Sequence, residues 1–191
     1  MTRDGHSDLA PLVERCLSGD QAAMLALVEH FRGQVFGLCY RMLGQREDAE
    51  DAAQETFVRV LKNLHRWDQA RDFEPWLLAI AGNRCRTALA ARKRRPLAEP
   101  TVELVADDAP DERPGQQLAE ELRLALDGLR DDYKQAFLLF HEHELSYAEI
   151  ADAMEIPLGT VKTWVHRARR ELVDALRLRG AIPEERAAKV V

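Results

Sequence analysis

The sequence has few of the parts from which disulfide frameworks, membrane spans or catalytic centres are made. Cysteine is confined to Cys16, Cys39 and Cys85, odd in number and far apart, which argues against a disulfide framework. The three are expected to act as small buried apolar residues in a reducing cytoplasm. No apolar run approaches the length of a bilayer span. Asp4, Asp8, Glu14 and Asp20 interrupt any apolar core in the first thirty residues, so neither a signal peptide nor membrane insertion is expected. Period-two alternation is never sustained, so nothing suggests a sheet. No glycine-rich phosphate loop or nucleophile–base pairing stands out. The metal-like run "HEHE" (His141–Glu144) lacks a second histidine four residues after the first, where Leu145 stands. No catalytic residue, metal site or cofactor is expected, and the chain is not expected to be an enzyme.

What the chain does have is segregated charge. Its formal net charge is −6, yet "NRCRTALAARKRRP" carries Arg84, Arg86, Arg92, Lys93, Arg94 and Arg95 with no acid. From Glu99 to Glu121 eight acids face Arg113 alone. Five more acids lie between Glu142 and Glu155 without a Lys or Arg. Lys162 to Arg179 is again basic, with six cations against Glu171 and Asp174. Basic patches on an acidic chain point to a polyanionic partner; solvated helix faces are the plainer alternative.

Helical periodicity runs through most of the chain. Leu9, Leu12, Val13, Cys16 and Leu17 share one face, and "SGD" then offers Asp20 as an N-cap. A helix from about Gln21 to Phe31 is expected, then a separate apolar segment "VFGLCYRML" ending at Gly44. Ala53, Phe57, Val60, Leu61 and Leu64 give the core stripe of the next helix. After the turn-like "HRWDQARDFEP", Pro75 suits the first turn of a helix running to about Arg94. Pro96, Pro100, Pro110, Pro114 and Gly115 among acids mark a flexible connector. Helical spacing resumes at Leu118.

The most informative stretch is "LSYAEIADAMEIPLGTVKTWVHRARRELVDAL". Ser146 and Glu149 form a capping box ahead of a short helix. "EIPLGT" is a tight break, and Thr160 is expected to cap a second helix. Val161, Val165, Ala168 and Leu172 face inward at helical spacing. Lys162, Thr163, His166, Arg167 and Arg170 face out. Two short helices joined by a tight turn, the second basic outside, form a helix-turn-helix suited to the major groove. Its first turns reach base edges while flanking cations meet phosphates. Trp164, at the edge of that face, either packs on a neighbouring helix or touches a sugar or base. The fold expected is all-α: two small helical domains joined by a flexible acidic linker, the second a helix-turn-helix (winged-helix-like) DNA-binding domain.

"GQREDAEDAAQETFVRVLKNLHRWDQARDFEPWLLAIAGNRCRTALAARKRR" followed by "LSYAEIADAMEIPLGTVKTWVHRARREL" resembles an extracytoplasmic-function (ECF) sigma factor of bacterial RNA polymerase. The resemblance implies a first domain at 8–95 that docks on core RNA polymerase and opens the −10 promoter element. It implies a linker at 96–117 and a second domain at 118–178 that reads the −35 element. "DAEDAAQETF" is similar to the helix that binds the beta-prime coiled coil; Asp48, Asp51, Gln54, Glu55 and Val58 lie outside the core stripe and suit a basic protein partner. The beta flap is the partner implied for the second domain. For the −10 strand the candidates are Arg66, Trp67, Asn83, Arg84, Arg86, Arg92, Lys93, Arg94 and Arg95. Asn83, Arg84 and Arg86 are expected on one helical arc, and Arg92 to Arg95 as phosphate clamps. Phe73 and Trp76 are expected to pack, leaving Trp67 near an extruded base. For the −35 duplex they are Thr160, Lys162, Thr163, Trp164, His166, Arg167 and Arg170. An anti-sigma factor holding the free form is a further implied partner. Three positions depart from the family pattern: Thr87, Arg130 and Trp164. A stand-alone helix-turn-helix regulator is the alternative.

Overall fold

The computed structural model describes residues 6–94 and 114–183, with side chains from 9 and from 117 onward in the two segments. Arg95 and residues 96–113 of the expected linker lie outside the described residues. Every regular element among those described is helical, so the helix-turn-helix carries no β wing there.

The first segment folds into α1 (His6–Leu17), α2 (Gln21–Leu43), α3 (Arg46–Asn63), a 3-10 turn at Leu64–Arg66, and α4 (Phe73–Arg94). Asp20 caps α2 as expected, accepting from the Ala23 N–H at 3.1 Å while Arg15 holds its other oxygen at 2.7 Å. The two segments expected after Asp20 are one helix. Ala23, Leu27, Phe31, Val35, Leu38 and Met42 form an unbroken buried stripe through it. That burial outweighs the cost of Gly33 and Gly37, roughly 1 kcal/mol each. The helix ends on Gly44, whose φ of +76° is a left-handed cap that glycine adopts without strain. Leu17, expected inside, is 45% exposed, because the core contact of α1 is made by Val13 and Cys16.

Phe31, Leu38, Phe57, Val60, Leu77 and Leu78 fill the space between α2, α3 and α4. All three cysteines are free and buried. The adjoining Cys85 thiol, together with burial, pushes the Cys39 thiol far above the ordinary range, so it is no nucleophile at neutral pH.

The second segment folds into α5 (Pro114–Asp127), α6 (Asp131–His141), α7 (Tyr147–Ala153) and α8 (Leu158–Leu178). Pro114–Gln117, expected in the linker, are helical; proline is suited to a first turn because its missing N–H has no partner there anyway. Ser146 and Glu149 form both bonds of the capping box. The turn into α8 differs from expectation. Glu155, at φ +55°, takes the left-handed position, with Ile156 N–H on Ala151 O (2.9 Å) and Glu155 N–H on Asp152 O (3.2 Å). This is a Schellman termination without glycine. Gly159 lies inside the first turn of α8. Thr160 does not cap it: Pro157 is the N-cap residue, and its carbonyl accepts from Thr160 N–H at 2.8 Å. Val161, Val165, Ala168 and Leu172 are buried as the spacing predicts.

The domains touch. α6 and α7 pack against α2 and α4, and one continuous apolar cluster runs through both.

Candidate nucleic-acid and polymerase interface

Three charged surfaces follow from helical spacing. On α3, Ala49, Ala52, Ala53, Thr56, Phe57 and Val60 are buried, which turns Asp48, Asp51, Gln54, Glu55 and Val58 outward. All five are exposed, and Val58 leaves an aliphatic patch (47% exposed) among the carboxylates. An acidic rim around an aliphatic centre fits a basic protein helix better than DNA.

The basic helix α4 does not present its cations on one arc. Asn83, Arg86, Thr87, Lys93 and Arg94 line a cleft of about 800 Å³ against the second domain. Arg84 and Arg92 line a different groove, beside Asp48 and Gln45. Arg84 and Arg86 leave the helix about 200° apart, so they cannot share a face. Their partners differ accordingly. Arg84 pairs with Glu55 on the acidic helix, Nη2 to Oε1 at 2.8 Å. Arg86 meets Asp132 at 2.9 Å and Lys93 meets Asp131 at 2.9 Å, both across the domain boundary. Arg92 and Arg94 are exposed and have no ion-pair partner among the described residues.

Arg66 is exposed at the end of the 3-10 turn. Phe73 is buried as expected and Trp76 half-buried. Trp67 is also half-buried, edge-on to Phe73 with ring centroids 5.2 Å apart. Its rim is reachable, but its body belongs to the core.

On α8, Lys162, Thr163, His166, Arg167 and Arg170 are exposed along one side, opposite the buried stripe, and Thr160 is half-buried. Arg167 donates to the Tyr133 hydroxyl at 2.9 Å, and the Thr163 hydroxyl donates to Gly159 O at 2.8 Å. Trp164 is half-buried, its ring 6.3 Å from that of Tyr133, and it faces the interdomain cleft. Thr87, Arg130 and Trp164, the three positions expected to depart from the family pattern, all line this cleft. Arg130 covers the Tyr133 ring at 4.6 Å and pairs with Asp132 at 3.1 Å. Nothing in the sequence joins Arg86 to Asp132 or Lys93 to Asp131, so these pairs were invisible before the fold. Among the described residues no His, Cys, Asp or Glu group could hold a metal ion.

Residues 27–95 match the Sigma-70 region 2 family and residues 119–172 match Sigma-70, region 4. The ECF RNA polymerase sigma factor SigW of Bacillus subtilis is 34% identical over 179 residues, covering 86% of this chain and 95% of that one. The chain belongs to the ECF RNA polymerase sigma factors. The ECF sigma-E factor of Haemophilus influenzae is similarly related, at 33% identity over 85% of this chain and 92% of its own. The fold resembles that of the sigma factor RpoE of Bartonella quintana, solved with the anti-sigma factor NepR, at a TM-score of 0.61 and 19% identity over 80% of this chain and 95% of that one. An ECF sigma factor directs transcription initiation with RNA polymerase at promoter DNA, and the stand-alone regulator is not favoured. No helix among the described residues is long and apolar enough to cross a membrane.

Proposed function

We propose that the charge segregation of this ECF sigma factor is its division of labour. The observation that carries this is the exposure of acids on α3 and of cations on α8, each opposite a fully buried stripe. Asp48, Asp51, Gln54, Glu55 and Val58 dock on the beta-prime coiled coil of core polymerase, and the second domain docks on the beta flap. Arg66, Trp67, Asn83, Arg84, Arg86, Arg92, Lys93, Arg94 and Arg95 take the −10 strand: cations hold phosphates, and the reachable rim of Trp67 meets an unstacked base. Thr160, Lys162, Thr163, Trp164, His166, Arg167 and Arg170 address the −35 duplex, the exposed members in the major groove. The functional units are 8–95 and 114–178, joined by 96–113. The protein works in the bacterial cytoplasm and catalyses nothing itself; polymerase supplies the chemistry. An anti-sigma factor, the kind of partner bound by the Bartonella protein, restrains the free form.

Run-off transcription with purified core polymerase and genomic promoter fragments tests this. Transcripts that start at discrete sites only when the chain is added are expected. Unaided tight duplex binding without stimulation would overturn it.

A further inference from the structure

Two arginines of the second domain converge on one uncharged oxygen. Arg130 is the N-cap residue of α6, with ψ at 140°, and its side chain turns back over the ring of Tyr133 three residues on. Its guanidinium carbon lies 4.6 Å from the ring centroid, and its Nη1 donates to the Tyr133 hydroxyl at 3.3 Å. Arg167 of α8 donates its own Nη1 to the same oxygen at 2.9 Å. Tyr133 is 3% exposed and backed by the Trp164 ring, whereas Arg130 and Arg167 are both exposed. Like charges repel, and a neutral phenol supplies no charge to hold them together. Asp132 takes Nη2 of Arg130 at 3.1 Å and also meets Arg86 at 2.9 Å. Arg167 has no ion-pair partner among the described residues. Two cations against one shared carboxylate leave net positive charge at a fixed, exposed edge.

We propose that Arg130 and Arg167, set in place by the Tyr133 hydroxyl, form a site for one backbone phosphate of the DNA flanking the −35 element. This rests on the assignment of α8 to the −35 duplex. It adds Arg130 to that assignment as a phosphate contact and Tyr133 as a positioning residue. The occupant is DNA because Arg167 leaves the same exposed side of α8 as Lys162, Thr163, His166 and Arg170 and reaches the edge where α6 begins. A duplex laid along that side brings its backbone to both guanidiniums. Charge-assisted bonds of about 2.7–2.9 Å from two arginines hold a phosphate about twice as strongly as neutral donors do. Such a contact fixes register and affinity but carries no base information directly. Arg130 stands at a position expected to depart from the family pattern, so the site is a feature of this chain. Arg130, Tyr133 and Arg167 all belong to the second domain, and their geometry does not depend on how the two domains pack.

The test uses holoenzyme reconstituted from core polymerase and the full chain, with promoter affinity measured across salt concentrations. A phosphate contact to B-DNA contributes about 0.9 to the slope of log affinity against log salt. Arg130→Ala should flatten the slope by that amount, so that the ratio of wild-type to variant affinity shrinks about 3.5-fold between 50 and 200 mM salt. The same loss is expected on fragments with altered −35 bases. Tyr133→Phe keeps the ring beneath Arg130 and beside Trp164 but removes the shared acceptor. It should weaken binding about two- to tenfold, the worth of an ordinary hydrogen bond, and do nothing further once Arg130 and Arg167 are both Ala. A single neutral methylphosphonate, moved phosphate by phosphate along the −35 flank, should find one position that weakens the wild type and leaves Arg130→Ala unaffected. An unchanged slope in Arg130→Ala, or no such position, overturns the phosphate site. A Tyr133→Phe effect that persists in the double-Ala background overturns the positioning role. Lys162→Ala separates this site from the reading beneath it. If Lys162→Ala weakens binding and Arg130→Ala does not, the phosphate site alone fails; if neither does, the assignment of α8 fails with it.

Discussion

Replacing Arg92 and Arg94 with Ala tests the DNA role proposed for α4 apart from its structural role. Both are exposed in the last turn, and neither has an ion-pair partner among the described residues. Their loss breaks no ion pair or side-chain hydrogen bond among the described residues, and the stability change should stay within about 0.5 kcal/mol. They leave the helix about 200° apart but only about 3 Å apart along its axis, so their long side chains can flank a strand crossing the helix end. Each phosphate contact to single-stranded DNA contributes about 0.7 to the slope of log affinity against log salt. Each single variant should therefore flatten the slope by about 0.7, and the pair by about 1.4. Between 50 and 200 mM salt, the ratio of wild-type to double-variant affinity should shrink by about sevenfold. The assay is a salt titration of open-complex formation by reconstituted holoenzyme on an active promoter fragment, with thermal melting of the free proteins as control. Parallel salt lines at unchanged melting temperature would refute the clamp. If only Arg94→Ala changes the slope, the strand follows the cleft face and Arg92 is a bystander.

Asp51→Lys places a cation among the α3 carboxylates and should weaken binding to core polymerase by about tenfold or more, mainly through association rate; competition against a labelled sigma factor measures this, and unchanged affinity would remove α3 from that interface. Glu155→Gly relieves a side chain from the left-handed position that ends α7, and should raise stability by about 1 kcal/mol in chemical denaturation. Phe31→Ala empties a fully buried site between α2 and α4, ringed by Phe73 at 5.4 Å, and should cost about 3–5 kcal/mol. Burial holds the His143 imidazole below its ordinary value of 6.5, and burial with Arg169 nearby does the same for His141. The unfolded chain then binds protons first, so this stability is whole above about pH 6.5 and is lost as pH falls through the folded values. Glu142, pushed above 4.5 by burial, acts oppositely, its contribution fading as pH rises through its folded value. The melting temperature should fall between about pH 7 and pH 5.5, and less steeply in His141→Phe/His143→Asn.

Residues whose roles are set by local periodicity were legible in the sequence. Val161, Val165, Ala168 and Leu172 repeat at helical spacing, so the opposite side of α8 followed, as did the exposed face of α3. Asp20, Ser146 and Glu149 were legible for the same reason, since a cap is written within four residues. Where burial overrides local signals, the sequence misled. The expected helix stopped at about Phe31 with a separate apolar segment from Val35, yet a buried stripe carries α2 through both. Pro157 and Gly159 are the local turn signals in "EIPLGT", but the left-handed position falls on Glu155, whose unusual φ is fixed by two backbone bonds rather than by its own preference.

The basic run on α4 shows the deeper limit. Consecutive cations look like one surface in a string of letters, but 100° per residue distributes them to different neighbours. Arg84 goes to the acidic helix, Arg86 and Lys93 to the second domain, and Arg92 and Arg94 to solvent. The Arg84–Glu55 pair joins a strand-contact candidate to a polymerase-contact candidate. Under the proposed assignment, a basic helix that engages Glu55 would compete with Arg84 for its carboxylate, and a released guanidinium would be available to DNA. Glu55 is exposed and Arg84 half-buried; pairs near the surface are worth about 0–1 kcal/mol, so the order of the exchange is testable. Arg84→Ala should leave Glu55 unpaired, preserving or slightly strengthening core binding while weakening open-complex formation. Equal weakening of both would mean that the pair is structural and that Arg84 has no separate role at the promoter.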